Sequence, residues 1–303
     1  MVKVSIVITV KNEADTIEAL FHALSKQTHR PDEVIIVDGG STDNTYTLLQ
    51  RLQLPWRKVV VKKVGNRSLG RNMGVVLARN DIIAFTDAGC EPDSTWLQEI
   101  VQPFEQEKID VVAGYYRALA QSSFERAAAA YMLVMPENIK KNTFLPATRS
   151  MAIRKSAWVN AGGFPHEYSM NEDYVFAHRL LATGAVLQFQ QTAVVGWHPP
   201  HTWSSFFTQV YRFAFGDTQA GMYRPKMISI FFRYVIGLVV YFFSPLLCIL
   251  LFMGYMCWAV HKNYRYVHDT SALWILPLMQ VGTDIAVMVG STRGFVQRLL
   301  SHT

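Results

Sequence analysis

The sequence predicts an α/β fold: a doubly wound sheet with acids at its strand ends, followed by helices that cross a membrane. Three observations predict it. Short β-branched runs alternate with helical apolar periodicity over the first half, two of those runs end on aspartates, and the C-terminal third is both the most apolar and the most basic part of the chain. With 303 residues there is enough chain for one large core plus an appendage. Residues 201–303 hold three acids, Asp217, Asp269 and Asp284, against eight Lys and Arg, whereas the first 200 residues are nearly balanced at 21 basic to 20 acidic. Apolar and basic together point to the cytoplasmic surface of an anionic membrane rather than to nucleic acid. Cys90, Cys248 and Cys257 show neither CxxC nor metal-finger spacing, which suits a reducing compartment. The opening MVKVSIVITV lacks the apolar core and cleavage site of a signal peptide and reads as a strand, so nothing is expected to export this domain.

Taken in order, Val4 to Val10 is the first strand; Lys11-Asn12-Glu13 follows, then a helical pattern on Ile17, Leu20, Phe21 and Leu24. Glu33 to Val37 is the second strand and ends on Asp38-Gly39-Gly40-Ser41, a tight turn into a helix through Leu48, Leu49 and Leu52. Val59 to Val64 forms a third strand, and a polar stretch from Gly65 to Gly74 leads by a short helix into Ile82 to Phe85, which ends on Thr86-Asp87. Asp38 and Asp87 thus sit at the carboxyl edge of a sheet, where ligands collect in this architecture. Either could simply cap a helix. With Arg71 between them in sequence they fit a nucleotide and a metal: carboxylates bind sugar hydroxyls or a divalent cation, and arginine binds phosphates. GxGxxG, P-loop and GxSxG patterns are absent.

VSIVITVKNEADTIEALFHALSKQ, DEVIIVDGGSTDNT, GRNMGVVLARNDIIAFTDAGCEPD and NAGGFPHEYSMNEDYVFAHRL together resemble glycosyltransferase family 2 over roughly residues 3 to 220. The resemblance implies a GT-A type doubly wound mixed sheet and inverting transfer from a nucleotide diphosphate sugar. It implies that Asn12, Glu13 and Asp38 bind the nucleotide, with Asp38 near the base, and that Arg71 lies along the diphosphate. Asp87 matches the first acid of the DxD motif; the third position here is Gly89, so one metal-binding acid is missing. Glu91, Asp93 and His198 are close enough in sequence or chemistry to be considered in its place, Glu91 and His198 as supplementary ligands for Mg²⁺ or Mn²⁺. Asp173 occupies the position of the catalytic base, and Glu172 would position sugar hydroxyls. Helix capping would otherwise account for Asn171 or Asp173.

Further along, Asp110 to Tyr116 is strand-like, and Ala127 to Leu133 reads as a packing helix. Arg149 to Arg154 reads as a strand leading to a helix that ends at Gly162-Gly163-Phe164. Trp203, Phe206, Phe207, Val210, Tyr211, Ala214 and Phe215 share one helical face, so 203–222 is either packed on the core or an interfacial amphipathic helix. Its Gln209-Val210-Tyr211-Arg212-Phe213 resembles the family's QxxRW motif, which would bring Gln209 and Arg212 to the diphosphate or acceptor. Residues 234–260 run for 27 positions without a charge or histidine and read as one span; 271–290, with Pro277 and Asp284, reads as a second.

The resulting expectation is a multi-pass membrane enzyme with a cytoplasmic catalytic domain over 1–222 and a membrane region over 223–303. Its donor is a nucleotide diphosphate sugar, and its acceptor a lipid, polyprenyl phosphate or glycan near the bilayer. A non-catalytic nucleotide-sugar-binding membrane module is the alternative that Gly89 raises, and the Glu172-Asp173 pair argues against it.

Overall fold

The structure is a computed structural model that describes residues 2–168 and 170–301. Met1, Ser169, His302 and Thr303, which include both outer ends of the two expected domains, lie outside the described residues.

The chain forms two compact units, the first comprising Met1–Arg117 with Asn138–His198. It begins with strands β1 (Val4–Val10) and β2 (Glu33–Asp38), separated by α1 (Ile17–Ser25). Helix α2 (Thr45–Arg51), β3 (Arg57–Lys62), α3 (Arg67–Leu77) and β4 (Ile82–Phe85) follow. Strands β1 to β4 are parallel neighbours in the order β3-β2-β1-β4. Their central members are continuous apolar runs, Val34 to Val37 and Ile82 to Phe85, because helices cover both faces of a parallel sheet. The sheet then changes direction. Strands β5 (Cys90–Pro92), β6 (Val111–Ala118), β7 (Met151–Arg154) and β8 (Leu187–Trp197) complete an eight-stranded mixed sheet in the order β3-β2-β1-β4-β7-β6-β8-β5. Strand β7 runs antiparallel to β4 with Phe85 opposite Met151. The purely parallel sheet suggested by strand–helix alternation therefore gives way to the mixed sheet that the family resemblance implied. Helices α4 (Trp96–Val101), α6 (Lys155–Asn160) and α7 (Glu172–Ala182) complete this unit's helical cover. One apolar cluster joins Ile35, Val75, Phe85, Met151, Phe164 and Phe176.

The second unit comprises Ala118–Glu137 and the chain from Pro199 onward. It contains α5 (Ser123–Met132), α8 (Trp203–Gln219), α9 (Pro225–Phe243), α10 (Pro245–Val267) and α11 (Ala272–Ser301). Both 118–137 and 199–222 therefore pack with α9, α10 and α11. Ala127, Ala128, Phe206, Val210, Leu276 and Met279 share a buried cluster. The expected apolar face of α8 is covered by protein, not laid open to an interface.

The single span expected over 234–260 is two helices. Ser244 is extended, with φ −156° and ψ 90°, as a residue before proline prefers, and Pro245 opens α10 at its first turn, where no N–H is needed. The helices fold back on each other: the Cys248 thiol donates to the Gly237 carbonyl at 3.5 Å, and Arg233 stacks on Tyr255 with its Cζ 4.2 Å from the ring centre. Helices α9, α10 and α11 are each long and apolar enough to cross a membrane. Phe242 and Phe243, at the tip of the hairpin, are 76% and 86% exposed, an apolar surface that water would not tolerate and lipid would.

Candidate active site

The loops at the carboxyl ends of β1, β2 and β4 bring most of the predicted residues to one edge of the sheet. Asn12 adopts the left-handed conformation, φ 56°, and its side-chain carbonyl accepts the Thr42 N–H at 2.8 Å, while its own N–H donates to Ser41 Oγ at 2.9 Å. These bonds tie the first loop to the second. Asp38 is fully buried; its Oδ1 accepts the N–H groups of Gly40 (2.9 Å) and Ser41 (2.7 Å) in a turn where Gly40 has φ 93°. Its Oδ2 is buried and has no hydrogen-bond partner among the described residues. Glu13 accepts from the Thr16 hydroxyl. Burial pushes its carboxyl above the ordinary range; Thr16 pulls it back, and the Asp87 carboxylate adds to the rise.

Helix α3 lies close on β1 because it carries glycine where it meets the strand. A Cβ at Gly74 would stand 2.3 Å from Val7 Cγ1. That proximity delivers Arg71 to the site. Arg71 is 3% exposed, and its guanidinium donates to Glu172 Oε1 at 2.6 Å and to Asp87 Oδ1 at 3.2 Å. The expectation for Arg71 was a place along the diphosphate; the side chain here stands between two acids. Both terminal nitrogens are already engaged by carboxylates, and Arg71 instead joins α3, the end of β4 and the start of α7. Its neighbour Asn72 makes the same connection: its amide donates to the Phe164 carbonyl at 2.8 Å and its side-chain carbonyl accepts the Phe164 N–H at 2.8 Å. Phe164 in turn packs on Phe176 of α7, ring centres 4.1 Å apart.

Glu172 and Asp173 open α7, preceded by Asn171 at φ 55°. Glu172 is buried and makes an inward ion pair with Arg71. Asp173 is only half-buried, and its Oδ1 accepts its neighbour Tyr174's N–H at 2.8 Å. Burial and the adjacent Glu172 carboxylate push Asp173 above the ordinary aspartate range, against the pull of Arg71 and Arg149. Asp87 shows the opposite balance. Burial disfavours its charge, but Arg71, Arg149 and Arg67 outweigh that and hold its carboxyl below the usual range.

Four residues here escaped sequence reasoning. Extending the β4–β7 register by two residues from Phe85–Met151 sets Arg149 opposite Asp87, and Arg149 Nε stands 4.0 Å from Asp87 Oδ2. The Arg149 guanidinium is stacked on Trp197 and Tyr116, with Cζ 4.7 and 5.3 Å from the ring centres. Arg67, one turn before Arg71, is the fourth; its charge is felt by both Glu13 and Asp87. The i, i+4 spacing of Arg67 and Arg71 was a readable signal. Nothing local marked Arg149, Tyr116 or Trp197.

The metal expectation meets a donor set that falls short. Gly89 supplies no ligand, and Glu91 and His198, brought together by β5 and β8, bond each other at 2.8 Å. Among the described residues no group of three or more His, Cys, Asp or Glu could hold a metal ion. Cys90, inside the same motif, is no substitute: burial pushes its thiol up to about 12, and the residue is 2% exposed. The described residues leave Asp87 and the Glu91–His198 pair, too few donors to hold a metal by protein side chains alone. Gln209 and Arg212 stand on α8 in the second unit, half-buried and exposed respectively.

Comparison with known proteins converges with this geometry. AglE, a glycosyltransferase of Haloferax volcanii, is 26% identical over 228 residues, covering 72% of this chain and 74% of its own length. The undecaprenyl-phosphate 4-deoxy-4-formamido-L-arabinose transferase of Serratia proteamaculans is 32% identical over 140 residues, covering 44% of this chain and 42% of the relative. A solved mannosyltransferase of Pyrobaculum calidifontis, in complex with GDP-Man and Mn²⁺, superposes with a TM-score of 0.70 at 17% identity, covering 96% of this chain and 87% of that one. At that identity the superposition shows the fold, a GT-A mixed sheet. The profile of glycosyl transferase family group 2 matches residues 90–284, and that of glycosyl transferase family 2 matches residues 5–163, more than half of the chain and every predicted strand-end acid. On that match, together with the fold, this chain is a glycosyltransferase and belongs to glycosyl transferase family 2.

Proposed function

We propose that this enzyme transfers a sugar, with inversion, from a nucleotide diphosphate sugar to an acceptor at the membrane surface, a lipid such as a polyprenyl phosphate or a lipid-linked glycan. The observation that carries the reading is the position of Asp173: half-buried, with a tightened hold on its proton, and anchored beside a Glu172–Arg71–Asp87 ion-pair chain. Such a carboxylate suits a general base. The acceptor oxygen attacks the anomeric carbon, its proton passes to the Asp173 carboxylate, and the bond from that carbon to the β-phosphate oxygen breaks with its electron pair leaving on the diphosphate. A phosphate acceptor is already ionised, and for it Asp173 orients rather than deprotonates.

In this reading Asp38 offers its unpartnered Oδ2 to the base, with Asn12 and Glu13 beside the nucleotide. Mg²⁺ or Mn²⁺ enters only as a companion of the donor's diphosphate, with Asp87 as its protein carboxylate and Glu91 and His198 as a neighbouring pair. Gln209 and Arg212 belong to the acceptor or diphosphate side. The acceptor class is supported by the apolar helices and by the relative named for undecaprenyl phosphate. Helices α9 and α10 form a hairpin that returns the chain to the side it left, which suits a multi-pass membrane protein with its catalytic unit in the cytoplasm. The test is transfer from radiolabelled nucleotide sugars into membrane lipids by wild type and Asp173→Asn. Label in the lipid phase that disappears in the variant is the expected result; a donor that binds yet gives no Asp173-dependent transfer to lipid or added glycan would sink the proposal.

A further inference from the structure

We infer that Arg149 is the residue that grips the donor's diphosphate as the glycosidic bond to it breaks, taking the part that a two-acid metal site would otherwise play; the inference rests on the donor reading above. Negative charge develops on the leaving diphosphate, and something cationic must face it. The site offers three guanidiniums and, of the motif's two acids, only Asp87, whose Oδ1 is already held by Arg71. Arg71 is 3% exposed and holds two carboxylates at 2.6 and 3.2 Å, so turning it toward a phosphate would strand Glu172 in the interior. Arg67 is exposed at the first turn of α3, a long side chain on the solvent side.

Arg149 combines the access that Arg71 lacks with a fixed orientation that no ring among the described residues gives the exposed Arg67. Its side chain is 21% exposed, so it reaches the open side of the site. Two rings, Trp197 and Tyr116, set its plane, and the only carboxylate within 4.0 Å of it among the described residues is Asp87, at the limit of an ion pair and beyond hydrogen-bond reach. A stacked guanidinium keeps its charge at every relevant pH and presents a planar fork that matches phosphate oxygens two at a time. The missing acid fits the same scheme. Gly89 supplies no acid, although a Cβ there would make only an ordinary contact, with Glu13 Oε2 at 4.0 Å. Charge balance at the diphosphate is thus arranged around fixed arginine rather than around paired acids.

The full-length protein in detergent, titrated calorimetrically with nucleoside mono- and diphosphates in the presence of a metal chelator, tests this. Wild type is expected to bind one diphosphate at least about tenfold more tightly than its monophosphate, and Arg149→Gln to lose about ten- to a hundredfold toward the diphosphate and under about threefold toward the monophosphate, the range expected for a charged bidentate contact. Retained monophosphate binding shows that the variant is folded. Arg149→Lys, which keeps the charge but not the fork, is expected between the two. Wild-type diphosphate affinity in Arg149→Gln, equal loss toward both ligands in both variants, or a preference for diphosphate that the chelator erases in wild type each overturns the inference while leaving the donor reading intact. If wild type binds no nucleoside diphosphate of the panel with or without metal, the donor reading itself falls and takes this one with it.

Discussion

Asp173 and Asp87 lie in one electrostatic neighbourhood and are driven in opposite directions by it. Burial and Glu172 raise the first; three arginines, working against burial, lower the second. As the proposed base, Asp173 would have to be ionised to accept a proton, so the acid limb of the rate profile is expected above the ordinary aspartate range, and Asp173→Asn is expected to lower turnover by about 10²- to 10⁴-fold. Stability carries the opposite sign. A raised carboxyl binds its proton more readily in the folded chain than in the unfolded one, so the wild type loses stability as pH climbs from the ordinary aspartate value through the folded one. Asp173→Asn, which cannot ionise, is therefore expected to melt higher than wild type at neutral pH and to lose that advantage in acid. Thermal scans at several pH values check it; a variant less stable than wild type at neutral pH contradicts it. At this scale Asp38, Asp87, Glu172 and Asp173 were legible because each carboxylate directly follows a strand or opens a helix. That two of these carboxylates hold Arg71 was not legible, since they come from elements 16 and about 100 residues away.

Among the elements, α8 and α11 show how sequence pattern and packing meet. Gly282, Ala286, Gly290 and Gly294 recur every fourth residue on α11, a small-residue stripe of the kind that lets helix backbones approach closely. A Cβ at Gly290 would lie 2.5 Å from the Tyr211 carbonyl oxygen, and one at Gly294 would lie 2.3 Å from that of Phe215. Because the obstructing atoms are backbone, Gly290→Leu has no cheap relaxation and is expected to cost at least about 1–3 kcal/mol. The check is the melting temperature in detergent: an unchanged value would mean that α8 and α11 do not pack this closely. The stripe was visible in the sequence, but the partner that uses it was not. The hairpin failed to read for a different reason. A 27-residue run free of charge satisfies the length rule for one span, and hydropathy is blind to an extended Ser244 before Pro245 that splits it in two.

For the whole molecule, the three long apolar helices are held together by a polar cluster. Asp284, fully buried, accepts from Tyr255 OH at 2.6 Å, Arg233 at 3.0 Å, Gln280 at 3.1 Å and Tyr234 OH at 3.3 Å. These bonds join α9, α10 and α11, as expected for an acid among apolar helices. Asp284→Ala leaves Arg233 without its carboxylate and is expected to destabilise the unit by about 3 kcal/mol, while the double variant Asp284→Leu with Arg233→Met is expected to recover most of the loss. Thermal unfolding in detergent reads both, and a single variant as stable as wild type would count against the network. The division of the chain into two units was the least legible feature, because α5 lies in sequence between two strands of the sheet yet packs with helices more than a hundred residues later. By itself the sequence determined the alternating elements, the acids at strand ends and the apolar character of the last third, which are local patterns of spacing and composition, and, through the resemblance of its motifs, the family. Only the tertiary structure decided that β7 returns antiparallel beside β4 to set Arg149 against Asp87, that Arg71 is buried between two acids, and that 118–137 joins the helical unit. Periodicity records which face of an element is buried; it does not record which distant element buries it.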